Sequence, residues 1–309
     1  MDNALMGLRP FVPGDIERLV KLISLSRVAP PVGPLSPGEL LARWERWHVR
    51  PEHDVNVLPG PDGDLIAFNR VSLVTEPTLR VSMELAVRPD MQGRGIGTAL
   101  YSRAEERARS LGITHITSPV FLKPGETCPA LTGFLTRHGF FPDSSYWQMR
   151  LDNLDEQPPA SWPERYTFRR FSNLDMDAEI WAVLVRSAFG EPATASRVLA
   201  QLAEPGNSAH GYIFALNSAG REVGTSRARI DRTGNGDIGY VGTVGVLSEH
   251  RRKGLAQALI LETVSYLAEK GMSSAVLFVE AQNENARRLY ERMGWKPVYQ
   301  TVHYWKTLE

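Results

Sequence analysis

The sequence lacks most of the features that reveal a chemistry at first sight. Its 309 residues hold one cysteine, Cys128, which excludes an intramolecular disulfide framework and a cysteine-rich zinc site. Seven histidines are scattered without an HExxH pair, so no metal is expected. No GxSxG elbow marks a serine nucleophile. No stretch approaches the ~20 apolar residues that span a bilayer, so no membrane partner is expected. The opening MDNALMGLRPFVPGD has neither the basic segment nor the apolar core of a secretion signal. With a lone cysteine, that suits a cytoplasmic setting. Charge of one sign is lacking too. The 35 Lys and Arg cancel the 35 Asp and Glu, so no global field draws in nucleic acid, and any anion site must be local. Hydrophobic residues at 42% and charged residues at 23% are ordinary for a globular chain. At ~150 residues per domain the length suggests two domains.

What the chain does have is itself, twice. Arg9-Pro10-Phe11 opens a segment answered by Arg169-Arg170-Phe171, with Phe11 and Phe171 standing 160 apart. Gln92-Gly93-Arg94-Gly95-Ile96-Gly97 is answered by Arg251-Arg252-Lys253-Gly254-Leu255-Ala256, 159 apart. Gly139-Phe140 is answered by Gly294-Trp295, 155 apart. Three landmarks in one order at nearly one offset indicate a duplicated domain, at a period far too long for a solenoid. Between the copies, the acidic and Pro-rich stretch 152–164 reads as an extended connector. The expected division is therefore 1–151, a linker 152–164, and 165–309.

Each copy has the same coarse order. A short strand leads to a helix whose start is marked by Asp15, or by Ser172 to Asp175. Strands follow, clearest at Arg80 to Val87 and Gly239 to Val246. Next come the Gly-rich turn and a long helix. In the first copy Leu100, Ala104, Ala108 and Leu111 recur at helical spacing. In the second, Leu259, Ile260, Thr263, Val264, Leu267 and Ala268 make one face, and Gly271 closes the helix. A strand rich in β-branched and aromatic residues follows, at Ile113 to Phe121 and Ala275 to Val279. A shorter helix and a last strand end each copy. Strand, turn, helix, strand is a βαβ unit, so the fold class is α/β with a partly parallel sheet in each domain.

The turn carries the chemistry. Unpaired N–H groups at a helix start, close backbone approach at glycines, and the cations Arg94 or Arg252 and Lys253 make a local diphosphate cradle. The helix dipole alone contributes only ~0.3–1 kcal/mol when exposed. The pattern is neither GxxxxGK[ST] nor GxGxxG, which disfavours a nucleotide P-loop and a dinucleotide fold.

In each copy the pattern reads [Q/R]xxGx[G/A] directly after a strand. MELAVRPDMQGRGIGTAL and VGTVGVLSEHRRKGLAQALI resemble motif A of the GCN5-related N-acetyltransferase (GNAT) superfamily, with Ala256 replacing the last glycine of the second copy. The resemblance is clearest over 85–140 and 240–296. It implies acetyl-CoA as cofactor. It also implies a bulged strand whose backbone binds the pantetheine arm and whose N–H polarises the thioester carbonyl. Those positions are Leu85, Ala86 and Val87 in the first copy, and Val244, Gly245 and Val246 in the second. Val244 is the candidate oxyanion donor. The turns at Gln92 to Thr98, with Thr98 opening the helix, and at Arg251 to Ala256 are the implied diphosphate binders.

The copies differ later. Asn285 to Trp295 resembles the family's NxxAxxxYxxxGF segment, with Trp for Phe. The resemblance makes Asn285 a cofactor-arm ligand and Tyr290 the phenol facing the sulfur. Taking ~8.5 for a thiol and ~10 for Tyr, full proton transfer would be uphill by about 2 kcal/mol. Hydrogen bonding to the departing sulfur is therefore the better role, unless the tyrosine pKa is lowered locally. Aligned on Gly139, the first copy offers Leu135 and Ala130 instead, and neither can act. The first domain is thus expected to keep a cradle and to have lost the chemistry. Candidate bases are Glu280, Asp237, His303 and Tyr304, or a water chain. Glu84 is expected to be structural. Trp44 and Trp47 with Arg43 and Arg46 read as a substrate mouth or a packed helix face. The Pro-rich Val28 to Pro37 reads as a loop over a cleft or a connector.

The sequence thus resembles a tandem GNAT enzyme moving acetyl from acetyl-CoA to a primary amine, of a small molecule, by direct attack in a ternary complex. Its layout also resembles the mycothiol synthases of that family, which acetylate the cysteinyl amine of a mycothiol precursor. Tyr240 here stands where those enzymes carry a glutamate. A non-catalytic acyl-CoA-binding sensor would keep both cradles but would need neither Tyr290 nor Asn285.

Overall fold

The computed structural model describes residues 5–26, 35–46, 48–74, 79–232 and 237–308. Trp47 and the 28–34 part of the Pro-rich stretch lie outside the described residues. Contacts divide the chain into two compact units. The first is Met1–Gln148 with Glu280–Gln282 and Pro297–Glu309, and the second is Met149–Val279 with Asn283–Lys296.

The elements run β1 (Arg9–Pro10), α1 (Ile16–Ser26), α2 (Pro37–Arg46), α3 (Pro51–Asp54), β2 (Val55–Pro59), β3 (Leu65–Val74), β4 (Arg80–Val87), α4 (Ile96–Ser110), β5 (His115–Leu122), α5 (Pro129–Arg137) and β6 (Phe141–Asp152). The second copy runs β7 (Thr167–Arg170), α6 (Leu174–Phe189), α7 (Ala195–Ala203), β8 (Tyr212–Leu216), β9 (Glu222–Asp231), β10 (Ile238–Val246), α8 (Leu255–Glu269), β11 (Ser274–Glu280), α9 (Glu284–Arg292) and β12 (Lys296–Thr307).

The first unit has strand order β1-β2-β3-β4-β5-β12. The second has β6-β11-β10-β9-β8-β7, with β6 entering it from Met149 on. The closing strand of each sheet thus comes from the other copy of the repeat. β12 runs antiparallel to β5 from Gln300↔Leu122 to Thr307↔His115. Residues 153–164 are packed on the second unit. Leu154 is buried and its N–H donates to Ser273 O at 3.3 Å. Trp162 stacks on Phe168 with centroids 5.5 Å apart, and its Nε1 donates to Glu262 at 3.3 Å.

Each copy opens with one internal anchor. The buried Asp15 carboxylate accepts from Arg9 at 2.6 and 2.8 Å, from Arg18 at 2.6 Å and from the Val12 N–H at 3.0 Å. Asp177 does the same with Arg169 at 2.7 Å and the N–H groups of Ser172 and Asn173 at 2.7 and 3.1 Å. Asn173 caps α6 through the Met176 N–H. The Arg9 hydrogen bond holds Asp15 below the usual carboxylate range. Burial pushes Asp177 up, but Arg169 and the two N–H donors outweigh it and its pKa is lowered.

The helix patterns translate into packing. Leu100, Ala104 and Ala108 are fully buried, whereas Leu111 lies past the end of α4 and is exposed. α8 is buried on more than one face, including Leu255, Leu259, Ile260, Val264 and Leu267.

The two βαβ units fork at equivalent places. β4 and β5 are paired in parallel at Val81↔Ile116 and Ser82↔Thr117. β10 and β11 are paired at Gly239↔Ala275 and Tyr240↔Val276. Beyond these pairs the strands part.

Candidate active site

The forks differ in one strand. β10 carries a bulge between Gly242↔Arg227 and Gly245↔Thr225. Thr243 takes φ +52°, a conformation that costs a non-glycine residue about 1–2 kcal/mol. Its carbonyl accepts from Thr225 Oγ1 at 2.9 Å. Beyond the bulge, Leu247 N–H donates to Val223 O at 2.9 Å. Antiparallel alternation then turns the Gly245 N–H to β9, and those of Val244 and Val246 toward the parted β11. A Cβ at Gly245 would lie 2.7 Å from Phe189 Cε2 and 3.1 Å from Ala188 Cβ, so a side chain there would have to push the Phe189 ring aside. β4 has no such bulge. It runs in register with β3 from Val74↔Arg80 to Ala67↔Val87, so the bulge expected around Leu85 to Val87 is absent. The full ladder with β3 leaves no extra residue to expel.

Both turns are built by one scheme. Gln92 donates to Val87 O at 3.1 Å, and Arg251 Nε to Val246 O at 2.9 Å. Arg94 donates to Asp90 O at 3.3 Å, and Lys253 to Glu249 O at 3.1 Å. Gly95 and Gly254 precede the helices at φ +81° and +88°. Gly93 takes φ +76°, and its counterpart Arg252 takes +60°. The first helical N–H bonds are Ala99 to Gly95 O and Ala258 to Gly254 O. The N–H groups of Ile96, Gly97 and Thr98, and of Leu255, Ala256 and Gln257, are therefore left without helical partners. Gln92 and Arg251 brace the loop, and Arg251 also reaches Ala188 O at 3.1 Å. Arg251, Arg252 and Lys253 of the second turn are all exposed, and of these Arg251 is engaged on the two carbonyls. Lys253 meets the Tyr166 hydroxyl at 3.3 Å, and that hydroxyl hydrogen-bonds His250 Nδ1 at 2.9 Å. This second-unit trio has no signal in the repeat.

α5 and α9 occupy equivalent positions, each ending before a left-handed glycine, Gly139 at φ +80° and Gly294 at +88°. That puts Leu135 and Tyr290 at one site in the two copies. Leu135 is fully buried. Tyr290 is 8% exposed and meets Trp295 edge-on with centroids 6.2 Å apart. Among the described residues its hydroxyl has no hydrogen-bond partner, yet it is not among the sealed polar atoms, so it reaches open space. Burial pushes its pKa up to about 12. Asn285 is exposed, and the cap of α9 is Asn283, whose side chain accepts from the Ala286 N–H at 3.1 Å.

The candidate bases scatter. Asp237 is paired with Arg232 at 2.6 Å, and Glu280 is exposed and belongs to the first unit. His303 and Tyr304 lie on β12 in the first unit. Burial, and then Arg80, push the His303 pKa down against Asp143. Glu84 is buried in an ion pair with Arg70 at 2.9 Å. Burial pushes its pKa up, but Arg70 and then Arg43 outweigh that and lower it, so it is a poor base. Trp44 is buried edge-on to Phe11 at 5.3 Å, which makes it core. Cys128 precedes α5 as a half-buried free thiol.

The second unit fits a coenzyme A arm on its own geometry. It offers outward N–H groups on a parted, bulged strand, unpaired N–H groups and cations at the turn, and an unused phenol. Among the described residues no helix is long and apolar enough to cross a membrane, and no cluster of three or more His, Cys, Asp or Glu could hold a metal.

Comparison with known proteins bears on the family. The model of the acetyltransferase (GNAT) family matches residues 21–140 and 179–295. A mycothiol acetyltransferase of Thermobispora bispora is 29% identical over 291 residues, 92% of this chain and 93% of that protein. One from Arthrobacter sp. (strain FB24) is 28% identical over 221 residues, 69% of this chain and 66% of its own length, just under two thirds. A GCN5-related N-acetyltransferase from Sphaerobacter thermophilus has a similar solved structure. Its TM-score is 0.79 at 28% identity, with 97% of this chain and 95% of that one covered.

Proposed function

The chain belongs to the GNAT acetyltransferase family and is an acetyltransferase that draws its acetyl group from acetyl-CoA, and from that premise we propose that it N-acetylates a primary amine of a small molecule in its second unit. The observation that carries the assignment to the second unit is the pair of differences between the copies. Of the motif strands β4 and β10 only β10 is bulged, and of α5 and α9 only α9 presents a phenol at the shared position. The setting proposed is cytoplasmic.

Acetyl-CoA supplies an activated acyl carbonyl and a thiolate leaving group. Val244, Gly245 and Val246 line the pantetheine arm with their backbone, and the Val244 N–H donates to the carbonyl oxygen as charge develops there. A donor so placed is typically worth about 3–4 kcal/mol of barrier. The N–H groups of Leu255 and Ala256, with Arg252 and Lys253, hold the diphosphate, while Arg251 and Gly254 keep the loop in shape. Asn285 contacts the arm at its exposed side. Tyr290 donates a hydrogen bond to the sulfur. With a pKa of about 12 it keeps its proton rather than giving it to a thiolate. The amine proton leaves to water. In the first unit Leu85, Ala86, Val87 and the turn Gln92 to Thr98 hold a second coenzyme A without the helix phenol.

A second reading narrows the amine to the cysteinyl amine of a mycothiol precursor. It is favoured by the relative from Thermobispora bispora, matched over nearly its whole length. Thiol release from acetyl-CoA, followed against an amine panel that includes a cysteinyl glycoside, tests both. Turnover with that amine alone selects the second reading. Tight binding without turnover on any amine would select a non-catalytic acyl-CoA sensor.

A further inference from the structure

The two units place their phenols reciprocally. α5 and α9 share one alignment offset with β6 and β12, since each helix has nine residues and each following strand twelve. In the second unit the helix position is Tyr290, and the closing-strand position is Met149, which is fully buried. In the first unit the helix position is Leu135, and the closing-strand position is Tyr304, delivered by β12.

Tyr304 has the features that single out Tyr290. It is 8% exposed, as Tyr290 is, and burial pushes its pKa up. Among the described residues its hydroxyl has no hydrogen-bond partner and is not sealed from open space. A buried tyrosine hydroxyl ordinarily finds a partner, and Tyr101 in the same cluster does, accepting from Lys306 at 2.6 Å. Tyr304 packs in one apolar cluster with Leu85 of the motif strand and with Leu135. Its cross-strand partner is Ser118, the first β5 residue past the last β4 pairing at Thr117. The register thus sets Tyr304 at the base of the fork.

We propose that Tyr304 is the sulfur ligand of a coenzyme A site in the first unit, its hydroxyl donating the hydrogen bond that Leu135 cannot. The inference rests on the reading that this fork holds coenzyme A, and it adds a recognition element from the other copy of the repeat. The ligand class is a coenzyme A thiol or thioester. The alternative is that Tyr304 and Leu135 only share volume in the apolar cluster.

Calorimetry on the full chain separates these, with coenzyme A and desulfo-coenzyme A as probes at about pH 9, above the ~8.5 of a thiol. Wild type should bind two coenzyme A per chain. Tyr304→Phe should weaken one of the sites about 3- to 10-fold for coenzyme A and leave desulfo-coenzyme A unchanged, since only a hydrogen bond to sulfur is lost. Leu135→Tyr combined with Tyr304→Met, which copies the second unit's pair, should restore the difference between probes. Equal weakening of both probes, or no change with either, overturns the proposal. One site per chain, unmoved by Tyr304→Phe, also overturns it, together with the second coenzyme A of the first unit, and leaves the acetyl transfer proposed for the second unit standing. No binding of either probe would instead sink the proposed function.

Discussion

Replacing Tyr290 by Phe removes one oxygen from a ring that is otherwise buried against Trp295. Because that hydroxyl has no hydrogen-bond partner among the described residues, the change removes no bond there. We expect stability to move by no more than about 0.5 kcal/mol. The kinetic effect should be larger. A phenol at about 12 facing a thiol at ~8.5 would lose about 5 kcal/mol on full proton transfer, so the group acts by donating. A hydrogen bond to a charged acceptor is worth about 1.5–3 kcal/mol, which predicts a fall in kcat of about 10- to 150-fold. Because the bond strengthens as the sulfur becomes anionic, the loss belongs in kcat and not in KM. The pH profile adds a second readout. With its pKa raised, Tyr290 stays protonated through pH 10, so wild-type kcat should not turn down there. Continuous thiol-release kinetics from pH 7 to 11 on both proteins decide the matter. An unchanged kcat, or a wild-type decline centred near pH 10, refutes the reasoning.

Four further outcomes follow from the geometry. Asp177→Asn should cost about 2–3 kcal/mol in urea unfolding, because it weakens charge-assisted bonds from Arg169 and two backbone N–H groups. Since the folded pKa of Asp177 is depressed, its stabilisation is present above ~3.9 and is lost as pH falls through the folded value. The variant should therefore lose part of the wild-type acid sensitivity below about pH 4. Arg252→Gly should raise the melting temperature while weakening coenzyme A binding, because it relieves a left-handed backbone worth ~1–2 kcal/mol and deletes an exposed cation. Glu84→Gln should cost about 3–5 kcal/mol by stranding buried Arg70, yet leave kcat per folded molecule unchanged. Removing residues 297–309 should abolish hydrogen-exchange protection in β3 to β5 and spare β8 to β11, since β12 pairs with β5.

Much of this was legible in residue patterns. Arg80 to Val87 is a strand to the residue, because Val81, Met83, Leu85 and Val87 alternate with polar or small neighbours along it. Gly139 and Gly294 aligned Leu135 with Tyr290 because only a left-handed position demands glycine there. The bulge was legible in principle. Val81 and Ser82 match Gly239 and Tyr240 at an offset of 158, whereas Val87 matches Val246 at 159, and the extra residue lies between them. The partner of β12 was not legible, because strand periodicity specifies which face is buried and not which neighbour it pairs with. Nor was the bracing role of Arg251. A basic residue in a cradle reads as a ligand until its guanidinium is seen on the Val246 and Ala188 carbonyls. Asn283 took the cap that sequence reasoning did not seek, since Asn285 carried the motif.

The exchange of closing strands has a consequence for biosynthesis. Every segment of the second unit, from Met149 to Lys296, is synthesised before residues 297–309 are made. The first unit's sheet is missing its border until then, and β5 waits with an open flank. The half translated first thus cannot complete its sheet during most of translation, and its open strand edge is the surface a chaperone has to cover.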